Sequence, residues 1–257
     1  MTSKKYLRFA VPLVAVMFWA RADEFVWPAS SSDEGVIVLN KSDSTGHSSL
    51  TNCVPSYWAG GAEVDDQHHY WVPAGYTIFG TATGVTFGGK SLTIEGTFRT
   101  TDANPIIPRL RFLPGAFCDF QNAHDGIGGG NVIISSSAGS PVTFRSNRTS
   151  SFTLHPSFGS GVNFVSDSDS WLVMKCVQKI PYLVYGFNQC DFSQFYGTLK
   201  LLRDYNGDVP VENFLTNRIL SAVSMPGSYI LGKGVTLSIE GANACMDAGN
   251  FTAEAGS

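Results

Sequence analysis

A right-handed parallel β-helix, in which short strands stack coil upon coil, is the fold class predicted by three features of the sequence. Short segments that alternate apolar and polar residues recur from about Trp71 onward, clusters of Gly, Pro, Asn and Ser separate them, and one local phrase returns at distances far longer than a hairpin. Composition agrees. Of 257 residues 43% are hydrophobic and only 15% charged, which excludes a disordered chain, and 27 Gly with abundant Ser, Thr, Val and Phe disfavour long helices. A β-sandwich is the alternative, because it too is built from short strands and frequent turns.

The first 22 residues read as a signal peptide. Lys4, Lys5 and Arg8 form a positive start, residues 9–20 are an apolar run, and Ala20 and Ala22 are the small residues a signal peptidase reads, so cleavage falls before Asp23. The run is too short for a membrane span, which takes about 20 apolar residues, and no later stretch is long enough. Secretion, or display at the cell surface, is the expected outcome. Export also changes the charge. The full chain stands at −4, but the leader holds four of its 17 basic residues and none of its 21 acidic ones, so the mature chain has 13 basic against 21 acidic residues, a net −8. That balance argues against nucleic acid as a partner, since binding a phosphate backbone rests on Lys and Arg.

Residues 23–70 are expected to cap the N-terminal end of the stack. They are polar and Ser-rich except for one strong strand at Gly35-Val-Ile-Val-Leu39, and a solenoid needs a cap because its first coil otherwise exposes an unpaired strand edge. Residues 71–257 form the β-helix domain. Its strands are marked by Leu92, Ile94 and Phe98; Leu110 and Phe112; Val132 and Ile134; Val142 and Phe144; Phe152 and Leu154; Val162 and Phe164; Leu199 and Leu201; and Val235, Leu237 and Ile239. The repetition that favours a solenoid over a sandwich is GGKSLTIEG at 88–96, echoed as GKGVTLSIEG at 232–241, and a Pro-Gly turn entering a strand at 72–78, 113–120 and 225–231. About 20 to 27 residues per coil would make about seven to nine coils. One segment departs from the pattern: at 208–223 the spacing of Val211, Leu215, Ile219, Leu220 and Val223, with Pro210 near its start, predicts a short helix or an irregular excursion on the solenoid surface.

The run from Ser56 to Gly96 resembles the opening of large secreted β-helix proteins of passenger or autotransporter type, as in bacteria of the Verrucomicrobia and Planctomycetes kind. The resemblance is carried by Trp58 with Gly60 and Gly61, by the stretch from Tyr70 to Thr77, and by Phe87 to Thr93. The resemblance concerns the fold; the role expected of such a fold is a non-catalytic, adhesin-like module that presents an elongated surface outside the cell and meets an extracellular glycan or a host or cell-surface partner.

The densest polar cluster is Asp65, Asp66, His68 and His69, flanked by Tyr57, Trp58, Tyr70 and Trp71. Carboxylates beside imidazoles can hold a divalent metal, and exposed aromatic rings can stack on sugars, which makes the four aromatics a candidate carbohydrate site and the four polar residues a candidate metal site. Strand geometry opposes convergence, since neighbouring residues point to opposite faces. A carbohydrate-active β-helix of lyase or glycosidase type is the rival reading, but no arrangement of acids and bases identifies a catalytic set, and no cofactor is expected. The loop at 123–131, with His124 and Asp125, and the acids Asp167 and Asp169 read as surface turns. Arg109 and Arg111 share one face of a strand and read as ordinary exposed residues. Five cysteines are scattered without a C-x-x-C pair, and Cys176 with Cys190 is the closest candidate for a disulfide. N-terminal sequencing of the exported product should begin at Asp23; a product retaining Met1 would overturn the signal-peptide reading.

Overall fold

The computed structural model describes residues 25–41, 57–61, 63–80, 86–100, 105–121, 127, 129–146, 162–176, 184–186, 190–203, 215–219 and 222–257. The expected signal peptide, most of the 123–131 loop with His124 and Asp125, and the strand marked by Phe152 and Leu154 lie outside them.

Strands dominate because the alternating segments each bury one face. They form three sheets. The first holds β1 (Val36–Val38), β2 (His69–Val72), β4 (Ser91–Ile94), β6 (Arg109–Phe112), β8 (Gly130–Ile134), β10 (Val162–Ser166) and β13 (Cys190–Phe195), in that order. The second holds β3 (Thr77–Gly80), β5 (Thr97–Thr100), β7 (Phe117–Phe120), β9 (Val142–Ser146), β11 (Trp171–Cys176), β14 (Thr198–Arg203), β16 (Ala222–Leu231) and β18 (Cys245–Ala253). A third, of β12 (Val184–Gly186), β15 (Leu215–Ile219) and β17 (Val235–Ile239), joins later in the chain. From β2 to β11 the chain visits the first and second sheets in strict alternation, and each visit pairs with the previous visit to the same sheet. All pairings among these strands are parallel. This is the strand order of a parallel solenoid, and it sets aside the antiparallel sandwich.

In-register stacking turns the alternation of each strand into ladders. Tyr70, Leu92, Leu110, Val132 and Phe164 lie rung on rung in the first sheet. Ile78, Phe98, Cys118, Phe144, Met174, Leu201 and Leu231 do the same in the second. All are buried. The ladders meet across one core, where Phe144 packs edge-on against Phe112 at 5.0 Å and Phe164 stacks on Phe192 at 4.8 Å. Each such side chain contributes about 1.5–3 kcal/mol of burial, so the ladders are the main stabilising term.

Corners set where the chain passes from one sheet to the next. Gly75 and Gly115 carry φ of 82° and 80° in the turns from β2 to β3 and from β6 to β7, and the closing bonds Tyr76 N–H to Pro73 O (3.1 Å) and Ala116 N–H to Leu113 O (3.0 Å) define four-residue turns that need glycine at the third position. A second set of glycines serves close approach. A Cβ on Gly96, Gly197, Gly227 or Gly249 would strike a backbone carbonyl oxygen of a preceding corner: that of Pro73 or Tyr76, Ser170, Gly197 and Pro226 respectively. Each opens a phrase of glycine, a polar residue and a large apolar one, Gly-Thr-Phe, Gly-Thr-Leu, Gly-Ser-Tyr or Gly-Asn-Phe; Gly96 and Gly197 precede β5 and β14, whereas Gly227 and Gly249 lie inside β16 and β18 where their mutual register shifts. The repeat seen in the sequence is therefore one of local geometry, and its two longest copies land in different sheets: β4 in the first, β17 in the third.

Two sequence expectations are corrected. Where the sequence predicts a helix over 208–223, the described part is strand: β15 covers 215–219 and β16 begins at Ala222. The buried positions of β15 include Asn217 as well as Ile219, and Asn217 Nδ2 donates to Tyr229 Oη at 2.7 Å. A polar residue on the inward face hid the period of two and left a spacing of four that mimics a helix. Coil length is also more variable than expected. Side chains stacked on adjacent coils lie 18 residues apart at Thr93 and Arg111, 20 at Arg99 and Asp119, and 32 at Asn131 and Asn163. Among the described residues, no helix is long and apolar enough to cross a membrane.

The corner glycines yield a direct test. Gly227→Ala should lower stability by about 1–3 kcal/mol, because the methyl meets backbone that has no room to move. Gly139→Ala, where a Cβ meets nothing within 4 Å, should leave the melting temperature unchanged within about a degree. Equal melting temperatures for the two variants would contradict the close-approach argument.

Candidate functional site

The residues singled out by the sequence do not form one site. Trp58 and Tyr70 are core residues, 0% and 1% exposed, packed edge-on at 4.9 Å, with Tyr70 continuing onto Phe87 at 5.5 Å. Tyr57 packs partly buried against them, with Lys41 Nζ 4.9 Å from its ring centroid. These three close the N-terminal end of the stack; they are not an exposed platform for sugars, because the first coil needs large apolar groups to cover its ladder. Trp71 faces the other way, toward the outer side of the first sheet.

The four metal candidates also diverge. Asp65 and His68 meet, with Asp65 Oδ1 2.7 Å from His68 Nδ1, and the same oxygen accepts the backbone N–H groups of Gln67 and His68. The hydrogen bond with His68 is the main cause holding the Asp65 carboxyl below its usual range. This is a turn closed by its own aspartate. Asp66 Oδ1 takes the Gln67 amide instead, and His69 enters β2 and shares a hydrogen bond with Ser91 Oγ at 2.7 Å. Among the described residues, no three His, Cys, Asp or Glu side chains gather as metal ligands. Asp167 likewise serves its corner, accepting the Ser170 hydroxyl at 2.6 Å. Cys190 is a free thiol, so the pair with Cys176 is not made.

A different cluster stands on the outer face of the first sheet. Parallel register places Trp71, Thr93 and Arg111 in one outward column, and His69 and Ser91 in the next. Arg109, two residues before Arg111 on β6, belongs to the same face. The segment Phe25-Val-Trp-Pro28 lies across these columns as a strap. Arg111 Nη2 donates to Pro28 O at 2.6 Å, and its guanidinium sits 4.9 Å from the Trp27 ring and 5.7 Å from the Trp71 ring. Arg109 lies 4.2 Å over the Phe25 ring, and Phe25 meets His69 edge-on at 5.7 Å. The Trp71 indole N–H donates to Glu95 Oε2 at 3.1 Å. Each cation–π contact is worth about 0.5–1 kcal/mol, so the strap is held by several small terms and one charge-assisted hydrogen bond.

Positive charge gathers around His69 on this face. Desolvation is the first cause depressing the His69 imidazole, followed by the positive charges of Lys90, Arg111 and Arg109 and by His68. Burial likewise depresses Arg111, whose Nε has no hydrogen-bond partner. Neither Arg109 nor Arg111 forms an ion pair among the described residues. Farther along the outward column, Arg109 is followed by Asn131, Asn163 and Asp191, and the Asn163 amide donates to Asn131 Oδ1 at 3.2 Å. Nothing local singles out the two arginines, because Pro28 of the covering strap lies 83 residues before Arg111. The available signal was the aromatic, proline-ended phrase Phe25-Val-Trp-Pro28.

The chain was compared with protein-family models, with curated proteins and with solved structures, and none of the three gave a match.

The depressed His69 sets a pH dependence. The unfolded imidazole takes up its proton near pH 6.5 while the folded one resists, so the unfolded state binds more protons below that point and stability falls as pH drops through and below 6.5. Thermal melts between pH 7.5 and 5 should show this loss, and His69→Gln should flatten it. An unchanged slope in the variant would mean that other groups carry it.

Proposed function

We propose that this chain is an exported, non-catalytic β-helix module of passenger type, adhesin-like, whose outer sheet faces meet an extracellular partner. The observation that carries the reading is the outward ladder of the first sheet. Parallel register repeats a side-chain position from coil to coil at about 4.8 Å, so Arg109, Asn131, Asn163 and Asp191 form one continuous polar row on a rigid support. A row of fixed spacing suits recognition of an extended partner. The predicted signal peptide supports export, and the parallel strand order supports the β-helix resemblance on which the passenger reading rests. The glycan reading built on Tyr57, Trp58 and Tyr70 is not carried forward, since those rings pack into the end of the core.

Beads coated with the mature chain, from Asp23 onward, test the role. They should adhere to cell surfaces or extracellular matrix above beads coated with an inert protein, and the chain should leave acidic polysaccharides uncleaved. Adhesion at the level of the inert coat would refute the adhesin-like reading, and polysaccharide cleavage would replace it with an enzymatic one.

A further inference from the structure

The strap lies on a basic and aromatic surface of a chain with net negative charge. Arg109, Arg111 and Lys90 surround His69, Trp71 presents an indole to the same face, and the amides of Asn131 and Asn163 extend it. Guanidinium groups with no carboxylate partner among the described residues are made for anionic oxygens, aromatic planes for the apolar faces of sugar rings, and an amide row for hydroxyl groups.

The strap itself imitates such a ligand. Its Pro28 carbonyl oxygen receives the Arg111 bond, its Phe25 and Trp27 rings cover the two guanidiniums, and in the sequence Asp23 and Glu24 directly precede it. It is also built to leave without unfolding the stack. The chain is anchored just after it, where Asp33 accepts the Ala29 and Ser30 N–H groups and the Ser30 hydroxyl, and where β1 pairs with β2. We propose that the outer face of β2, β4 and β6 is a binding site for an anionic glycan, and that the strap Phe25-Val-Trp-Pro28 occupies it in the free protein. The proposal deepens the surface-module reading by naming its partner class, and rests on that reading.

The test compares two chains, one beginning at Asp23 and one beginning at Ala29, against polygalacturonate for carboxylate, heparin for sulfate and dextran as the neutral control. The shorter chain should bind at least one acidic polysaccharide about tenfold tighter than the longer one. Binding should weaken as salt rises, and dextran should not bind. Which acidic polymer binds identifies the anionic group. Arg109→Gln with Arg111→Gln in the shorter chain should remove about tenfold or more, and a peptide of residues 23–30 added in trans should compete. Should the shorter chain fail to fold, Phe25→Ser with Trp27→Ser in the longer chain loosens the strap without shortening it and should give the same gain. A folded strap-free or loosened chain that binds neither acidic polymer more tightly, or whose binding survives loss of both arginines, overturns the proposal. Bead adhesion that persists in the double-arginine variant would sink the glycan site while leaving the surface-module reading intact.

Discussion

Everything in this protein depends on hydrogen bonding between successive coils. A strand in the interior of the first or second sheet bonds to the visit before it and the visit after it, so the chain must return each time to the same register regardless of how many residues it spends on the way. That requirement explains why the span between stacked side chains can change from 18 residues at Thr93 and Arg111 to 32 at Asn131 and Asn163 while the ladders stay aligned. Extra residues go into the connections; the strands cannot absorb them without turning a buried side chain outward.

The same constraint decides the corners. Because coils stack at backbone distance, a corner residue has the previous corner directly beneath it, and a side chain there meets a carbonyl oxygen. Gly197, Gly227 and Gly249 stack in this way, the first ahead of β14 and the other two where the register shifts within β16 and β18: a Cβ on Gly227 would strike Gly197, and one on Gly249 would strike Gly227 and the neighbouring Pro226. The two ends of the stack are finished differently. Leu39, Trp58 and Tyr70 cover the first coil with fully buried side chains, whereas in the last turns β18 is the outermost strand of its sheet and Ile239 and Phe251 are each 50% exposed.

Outward positions are free of the packing demand, and there the chain carries its distinctive chemistry. In the first sheet the inward rungs are apolar almost throughout, while the outward rungs run through His69, Ser91, Arg109, Asn131, Asn163 and Asp191. The strap converts part of that free surface into a partly buried one: Trp71 is only 4% exposed although it points away from the core. Desolvation depresses both His69 and Arg111, and the neighbouring positive charges depress His69 further.

The sequence by itself determined the all-β class, the recurrence of strands and turns, and most inward rungs, because alternation and turn chemistry are local properties that need no partner to be read. It missed β15, whose inward face carries Asn217, and β18, where the small Ala248 and Ala253 stand opposite the buried Met225 and Leu231. It could not assign the aromatic and acidic cluster around residues 57–71, since those neighbours in sequence part to the core, to a turn and to the outer face. Only the tertiary structure decided that Trp58 and Tyr70 close an end, that Asp65 and His68 close a turn, and that Arg109 and Arg111 lie beneath the N-terminal strap. The physical reason is distance along the chain: Pro28 and Arg111 meet across 83 residues, and nothing local in either segment specifies the other.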